Sequence, residues 1–375
     1  MNKQQISAFQ FNAVFFSFIT GSTILNAPAP MIGFAQNGAW LSVVISLAGG
    51  LLLLWGMLFL YDRFPDLNLI EYSRKLVGSW FTWILAIPFI TMQLHSTAGI
   101  VVDVGLFMTT TMMRETPLYV FVLLIFLVSS LTARAGIEAF ARLFPILMAT
   151  VLLFSIFVMI LASVDYDPSF LLPILPDGIK PVLLGTYFFF GIPVTEIILF
   201  SMLLPYVRKD ERTKVKKGMV YALIINHILM ILVTVSTLLV FGPIAGDRPF
   251  SMYEVARTIA LYEVFEGSEI LIGYSLIIAS FMKDVVSLYM MNVTLVAMFK
   301  LKDKQIFIFP LALVSFLFAM VFISLGVRTW ATFVTVREPL WKGVAYVVPL
   351  IVLVIAALVK GKRSVHQAEK MNTFS

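Results

Sequence analysis

The sequence predicts an all-α integral membrane protein of ten transmembrane helices, folded as an inverted five-plus-five repeat whose first and sixth helices are broken. Three observations predict it. Of 375 residues, 60% are hydrophobic and only 13% are charged, against roughly a quarter charged in an ordinary globular domain. Ten apolar runs reach or approach the roughly 20 residues needed to cross hydrocarbon. Two of them, the first and the sixth, are interrupted by small residues and proline. Interrupted backbone at membrane depth survives only where it is buried in protein or lines a polar cavity.

The spans lie near 8–33, 39–61, 80–108, 117–133, 137–163, 181–206, 218–241, 269–299, 305–326 and 339–360. In the first, FSFITGSTILNAPAP (16–30) breaks at Gly21, Ser22 and Thr23, with Pro28 and Pro30 behind. Ser42, Ser46 and Gly50, four apart on the second, read as a close-packing stripe. DRFPDLNLIEYSRKLVGSW (62–80) alternates apolar and charged residues at helical spacing and is expected along the inner interface. Only ARAG (133–136) parts the fourth span from the fifth, where Glu138 and Arg142 form an i, i+4 pair. YFFFGIPVTEIILF (187–200) carries the second break, at Gly191 and Pro193, with Glu196 three residues on. The segment 243–269 is amphipathic and is expected to cap the outer mouth.

Five spans per half make the second half enter the membrane upside down relative to the first, and the two broken runs open their halves. Paired breaks of this kind mark a substrate site near the membrane midplane. The chain is one ten-span domain, with halves 1–163 and 164–360 and a short tail, 361–375. With the N-terminus cytoplasmic, nineteen Lys and Arg fall on the inner side, seven on the outer, and Lys283 within a span, from a total of 27. Positive charge concentrates inside, so both termini are expected to be cytoplasmic. RKDERTKVKKG (208–218) is the densest inner loop and reads as solvated chain.

The absence of cysteine excludes disulfides, thiolate metal sites and a cysteine nucleophile. The apolar N-terminus is read as a retained first span and not a secretory leader, because it runs long and Pro-interrupted into further apolar sequence. The +6 charge is explained by cytoplasmic loops, and no nucleic-acid partner is expected. There is no phosphate-binding GxxxxGK[ST], no GxGxxG and no HExxH. No cofactor, metal or enzymatic activity is expected; the lipid bilayer is the one certain partner.

An ionisable side chain at the centre of a span costs about 2.5 to 3.5 kcal/mol and so faces the bundle interior with a partner. Glu196, Lys283, Asp284, Asp103, His95 and His227 meet that description. Lys283 has two readings: an ammonium standing where this architecture often holds a sodium ion, or an ion pair with Glu196, Asp103 or Asp284. Glu196 either shapes a ligand pocket or accepts hydrogen bonds from the broken backbone. The histidines read as buried polar groups. Backbone freed at Thr20, Gly21, Ser22 and Thr23 and at Phe190, Gly191, Ile192 and Pro193 offers amides to a carboxylate and carbonyls to an ammonium. A zwitterionic amino acid suits both, and Phe188 to Phe190 favour an apolar side chain.

Six blocks, GSTILNAP (21–28), FPDLNLIEYSRKLVG (64–78), AGIEAFARLFPIL (135–147), LLPILPDGIKPVLLG (171–185), EIILFSMLLPY (196–206) and IIASFMKDVVSLY (277–289), resemble the GerAB family of spore germination proteins. That resemblance implies the LeuT-like fold of the amino acid/polyamine/organocation transporter superfamily. It also implies a B-type subunit of a nutrient germinant receptor in the spore inner membrane, sensing a small nutrient beside an A-type and a lipoprotein C-type subunit. By position it adds Val101, and Ser287 with Lys283, to the ligand-binding set. The alternative that the fold supports equally is a proton-coupled amino-acid permease.

Overall fold

A computed structural model describes residues 4–260, 267–303 and 305–372. Residues 261–266 of the outer amphipathic segment, and Lys3 and Lys304 of the basic tally, lie outside those described. Among the described residues, nine helical stretches are long and apolar enough to cross a membrane, and an apolar helix of 17 residues, Ile308–Ser324, makes the tenth. The pairing of Ile6 with Val207 is an isolated β-bridge, and no strand occurs among the described residues.

The first span begins with α1 (Ala8–Thr20), whose start is a capping box: Ser7 accepts from the Gln10 N–H and Gln10 answers to the Ser7 N–H. The helix stops at Gly21 and Ser22, then resumes as α2 (Thr23–Asn26) and α3 (Pro28–Ala35). Pro28 stands at the first helical position of α3, where a missing N–H breaks no bond. The second span is α4 (Ala39–Arg63). Its expected close-packing stripe meets the sixth span: the Ser42 hydroxyl donates to the Val182 carbonyl at 2.9 Å, and a Cβ on Gly50 would lie 3.0 Å from Val194.

The inner amphipathic segment folds as α5 (Leu69–Val77), capped by Asn68 and Glu71 and ended by Gly78 at φ 86°. The third, fourth and fifth spans are α6 (Ser79–Phe107), α7 (Leu118–Ala135) and α8 (Ile137–Ala162). Gly136, at φ 93°, makes the tight turn between the last two. In the second half come α9 (Ile179–Phe189), α10 (Arg212–Phe241), the outer helix α11 (Ser251–Ala260), α12 (Ser268–Phe299) and α13 (Ile308–Ser324).

The second break is a change of winding. After α9 the chain widens over Phe190–Val194, where the Thr195 N–H reaches back five residues to the Phe190 carbonyl, then tightens into a 3-10 helix over Thr195–Met202. Pro193 has no N–H to give, so ordinary α-helical bonding cannot continue through it. Such wide turns cluster at functional positions.

The tenth span departs from the sequence reading. It starts about ten residues earlier than position 339, as a column from Thr329 to Lys360. In that column α14 (Val327–Thr332), α15 (Glu338–Lys342) and α16 (Val348–Asn372) are joined by wide turns at Phe333–Arg337 and Gly343–Val347. Arg337, Glu338 and Lys342 make this stretch look like a loop, yet Glu338 and Lys342 are buried.

The core is gathered on Phe200. Its ring takes edge-on contacts from Phe11, Phe15 and Phe18 of α1, with centroids 5.8, 4.9 and 5.3 Å away. These contacts press the first span onto the 3-10 segment that carries Glu196.

Candidate functional site

Two close backbone approaches set the site. A Cβ on Gly21 would lie 2.9 Å from the Ser17 carbonyl oxygen and 3.3 Å from that of Ala279, so the first break is seated against α12. A Cβ on Gly191 would lie 2.2 Å from the Pro339 Cβ, so the second break is seated against α15. Glycine is required at both because the facing atoms belong to main chain or to a rigid ring.

Between these seats lies a row of buried charges. Glu196 receives the Lys283 ammonium at 2.8 Å on Oε2 and the Lys342 ammonium at 2.7 Å on Oε1. Lys342 also lies 2.8 Å from Glu338 Oε1 and donates to the Ile192 carbonyl at 3.3 Å. Glu338 in turn faces His95, with Oε2 3.7 Å from Nε2, and accepts from the Ser96 hydroxyl at 3.5 Å. Two ammoniums and two carboxylates alternate along the row, so its formal charge is zero. Neutrality is what makes such a row tolerable at membrane depth, since a lone ion there is expensive.

The two lysines are unequally served. Lys342 has three oxygen partners for its three protons. Lys283 has one, Glu196, and otherwise stands 5.2 Å over the Phe18 ring. Of the three anions that could have held Lys283, the fold selects Glu196. Asp103 accepts from the Trp330 indole N–H at 2.9 Å instead, and Asp284 faces elsewhere.

The freed carbonyls of the second break are taken up by side chains. The Thr195 hydroxyl donates to the Gly191 carbonyl at 2.8 Å, and Lys342 takes that of Ile192. Glu196 itself binds ammoniums and not backbone amides, so its part in holding the break is indirect, through Lys342. At the first break the Asn226 amide of α10 donates to the Ile19 carbonyl at 3.3 Å and to the Thr20 hydroxyl at 3.1 Å.

Ser287, one turn beyond Lys283, meets the Thr97 hydroxyl of α6 at 2.5 Å. Val101 is fully buried a turn further along α6. Thr20, Gly21, Ser22, Thr23, Gly191 and Pro193 are buried as well, while Phe190 and Ile192 are half-buried. His95 sits among Phe322, Phe333 and Trp330, and His227 gives its Nδ1 to the Leu223 carbonyl at 2.9 Å, both as buried polar groups. Two crevices, of about 460 and 310 Å³, lie at the start of α8 and beside α5 and are lined by residues such as Arg142, Arg208, Arg74 and Tyr206. Neither is lined by a residue of the predicted ligand set.

Glu338 and Lys342 were missed as site residues by sequence reasoning, which counted Lys342 with the outer-side charges although the span near 339–360 contains it. Their i, i+4 spacing of opposite charges was the available signal.

A family profile described as Spore germination protein (Spore_permease) matches residues 5–336. The chain belongs to the spore germination protein family. Spore germination protein KB of Bacillus subtilis (strain 168) is 28% identical over 317 residues, covering 84% of each chain. This spore germination protein also shares its fold with solved transporters. One is a Na+-coupled sialic acid symporter, substrate-bound and outward-open, at TM-score 0.68 and 11% identity, covering 91% of this chain and 78% of that one. Another is MhsT in complex with L-phenylalanine, at TM-score 0.64 and 14% identity, covering 96% and 99%. The ten-span inverted-repeat architecture expected from the sequence is therefore the one found, in a multi-pass membrane protein of a germination-related, permease-like family.

Proposed function

We propose that this chain is the ligand-binding B-type subunit of a nutrient germinant receptor, taking a small zwitterionic nutrient, an amino acid, between its two helix breaks. The observation that carries the reading is the unequal saturation of Lys283 and Lys342 around one carboxylate. A ligand carboxylate can take Lys283 while Glu196 keeps its contact to Lys342, which Glu338 also shares. The ligand's own ammonium then supplies the positive charge that keeps the whole site neutral. The ligand ammonium faces carbonyls at Thr20 to Thr23, and Val101, Ser287 and the residues from Phe190 to Pro193 shape the rest of the pocket. No covalent chemistry is involved.

Drawing Glu196 off Lys283 frees the Thr195–Met202 segment from α12. Ligand binding would thus favour a second arrangement of the bundle, to the extent of its differential affinity for the two. The A-type and lipoprotein C-type subunits would read that shift in the spore inner membrane, with both termini of this chain on the core side. Family membership makes germination the context for the site.

The second reading, a proton-coupled amino-acid permease, is favoured by the fold shared with solute symporters. Binding and uptake of a labelled amino-acid panel in proteoliposomes, with and without a pH gradient, separates the two. Saturable binding lost in Lys283→Met, without accumulation, is the expected result. Concentrative uptake driven by the gradient would make the chain a transporter. Lys283→Met is a cleaner control than Gly21→Trp, whose side chain would drive into the α12 backbone.

A further inference from the structure

Asp284 follows Lys283 on α12 yet takes no part in the row of charges. It is fully buried, and neither carboxyl oxygen has a hydrogen-bond partner. The Ser129 hydroxyl of α7 stands beside the carboxyl without closing a hydrogen bond. Ser280, one turn before Asp284 on the same face of α12, is also buried with a hydroxyl lacking any partner.

Among the described residues, no positive group answers this carboxyl. The one cation of α7, Arg134, lies in its last turn, and α13 carries no ionisable residue. On α6, His95 is turned to Glu338 and Asp103 to Trp330. On α8, Glu138 and Arg142 pair with each other near its inner start, and α1 has no charge. Arg74 of α5 is held at the inner end of α12 by the Ala297 and Met298 carbonyls, and Arg257 of α11 by Glu254. Lys283 is committed to Glu196.

An ionised carboxylate left uncompensated in an apolar interior takes up a proton instead. A metal ion is the other way to neutralise it, but a hard divalent cation wants six or more oxygens, and no group of three or more His, Cys, Asp or Glu placed to hold one occurs among the described residues. We propose that Asp284 is a buried proton-binding site, a neutral carboxylic acid in this packing whose proton is given up only when the seam between α7 and α12 opens to water. On deprotonation the O–H bond breaks, the electron pair stays on the carboxylate and the proton goes to that water. Ser129, beside it, and Ser280, one turn away on α12, are neutral hydroxyls that bring no charge to it. The inference is independent of which ligand the mid-membrane pocket takes.

Infrared spectroscopy of the purified full chain in lipid nanodiscs tests it, recorded across neutral pH in water and in deuterium oxide. The expected result is a protonated-carboxyl C=O band, above the amide I region, present in wild type and in Asp103→Asn and lost in Asp284→Asn. If Asp284→Asn does not fold, [4-13C]aspartate labelling of Asp103→Asn makes the same assignment through the isotope shift. A carboxylate band from Asp284 at neutral pH overturns the proposal. So does a melting temperature that rises with sodium in wild type and no longer does so in Asp284→Asn.

Discussion

Glu196 holds Lys283 on one carboxylate oxygen at 2.8 Å and Lys342 on the other at 2.7 Å, and so ties the eighth and tenth spans to the second helix break. The pairings around it are not equivalent. Removing Glu196 strands Lys283, while Lys342 keeps Glu338, whereas removing Lys283 leaves Glu196 on Lys342. Breaking a buried pair by deleting one partner costs about 3 to 5 kcal/mol. Glu196→Gln is therefore expected to cost that much and Lys283→Met distinctly less. The double substitution Glu196→Gln with Lys283→Met restores neutrality, with Lys342 still on Glu338, and is expected to recover part of the loss. Thermal unfolding in detergent gives the ordering, and a double variant less stable than Glu196→Gln alone would contradict it.

Gly191 faces Pro339 with no room for a methyl group. Gly191→Ala must push the sixth span off the tenth, a form of overpacking that costs about 1 to 3 kcal/mol. Its expected signature is local: faster hydrogen exchange at Glu338 to Lys342, with α7 and α8 unaffected.

Arg74 donates to the Ala297 and Met298 carbonyls, at 2.8 and 2.5 Å, and so fastens α5 to the end of α12. Lysine cannot reproduce the two-pronged guanidinium. Arg74→Lys is predicted to lose about 1 to 3 kcal/mol, read as increased exchange in the last turn of α12. Equal protection in both proteins would show the fork to be dispensable.

Phe200 is gripped by three rings of α1. Phe200→Ala should cost about 3 to 5 kcal/mol, and Phe200→Leu less. Since these contacts seat Glu196, ligand binding in proteoliposomes is expected to weaken in step with melting temperature.

The native chain has no cysteine, so single cysteines report orientation directly. Lys214→Cys is exposed in the first turn of α10 and Asp247→Cys beyond its other end. An impermeant maleimide applied to intact cells is expected to label the second and not the first. The reverse pattern would invert the proposed topology.

Much of the architecture was legible before any coordinates, because the bilayer imposes its own grammar. Length and apolarity marked the spans, and ARAG located the turn that Gly136 makes. Gly21 with Ser22 and Thr23, and Gly191 with Pro193, marked the breaks by clustering residues that interrupt a helix in mid-span. Ser42 and Gly50 gave away a close-packed face through their small size and spacing. The tenth span was misjudged at its start, since hydropathy counts Glu338 and Lys342 as loop charges.

What the sequence by itself determined is therefore what depends on each residue's own chemistry against lipid: the number of spans, the two interruptions, and the handful of ionisable groups that had to find partners. Which partners they found was decided by the tertiary structure alone. Lys283 could have met Glu196, Asp103 or Asp284, and only the docking of the Thr195–Met202 segment between α1 and α12 chose the first. Lys342 came to share Glu196 because Gly191 lets α15 approach the second break. Charges on three separate spans cancel only once those spans are side by side, and linear spacing carries no record of that meeting.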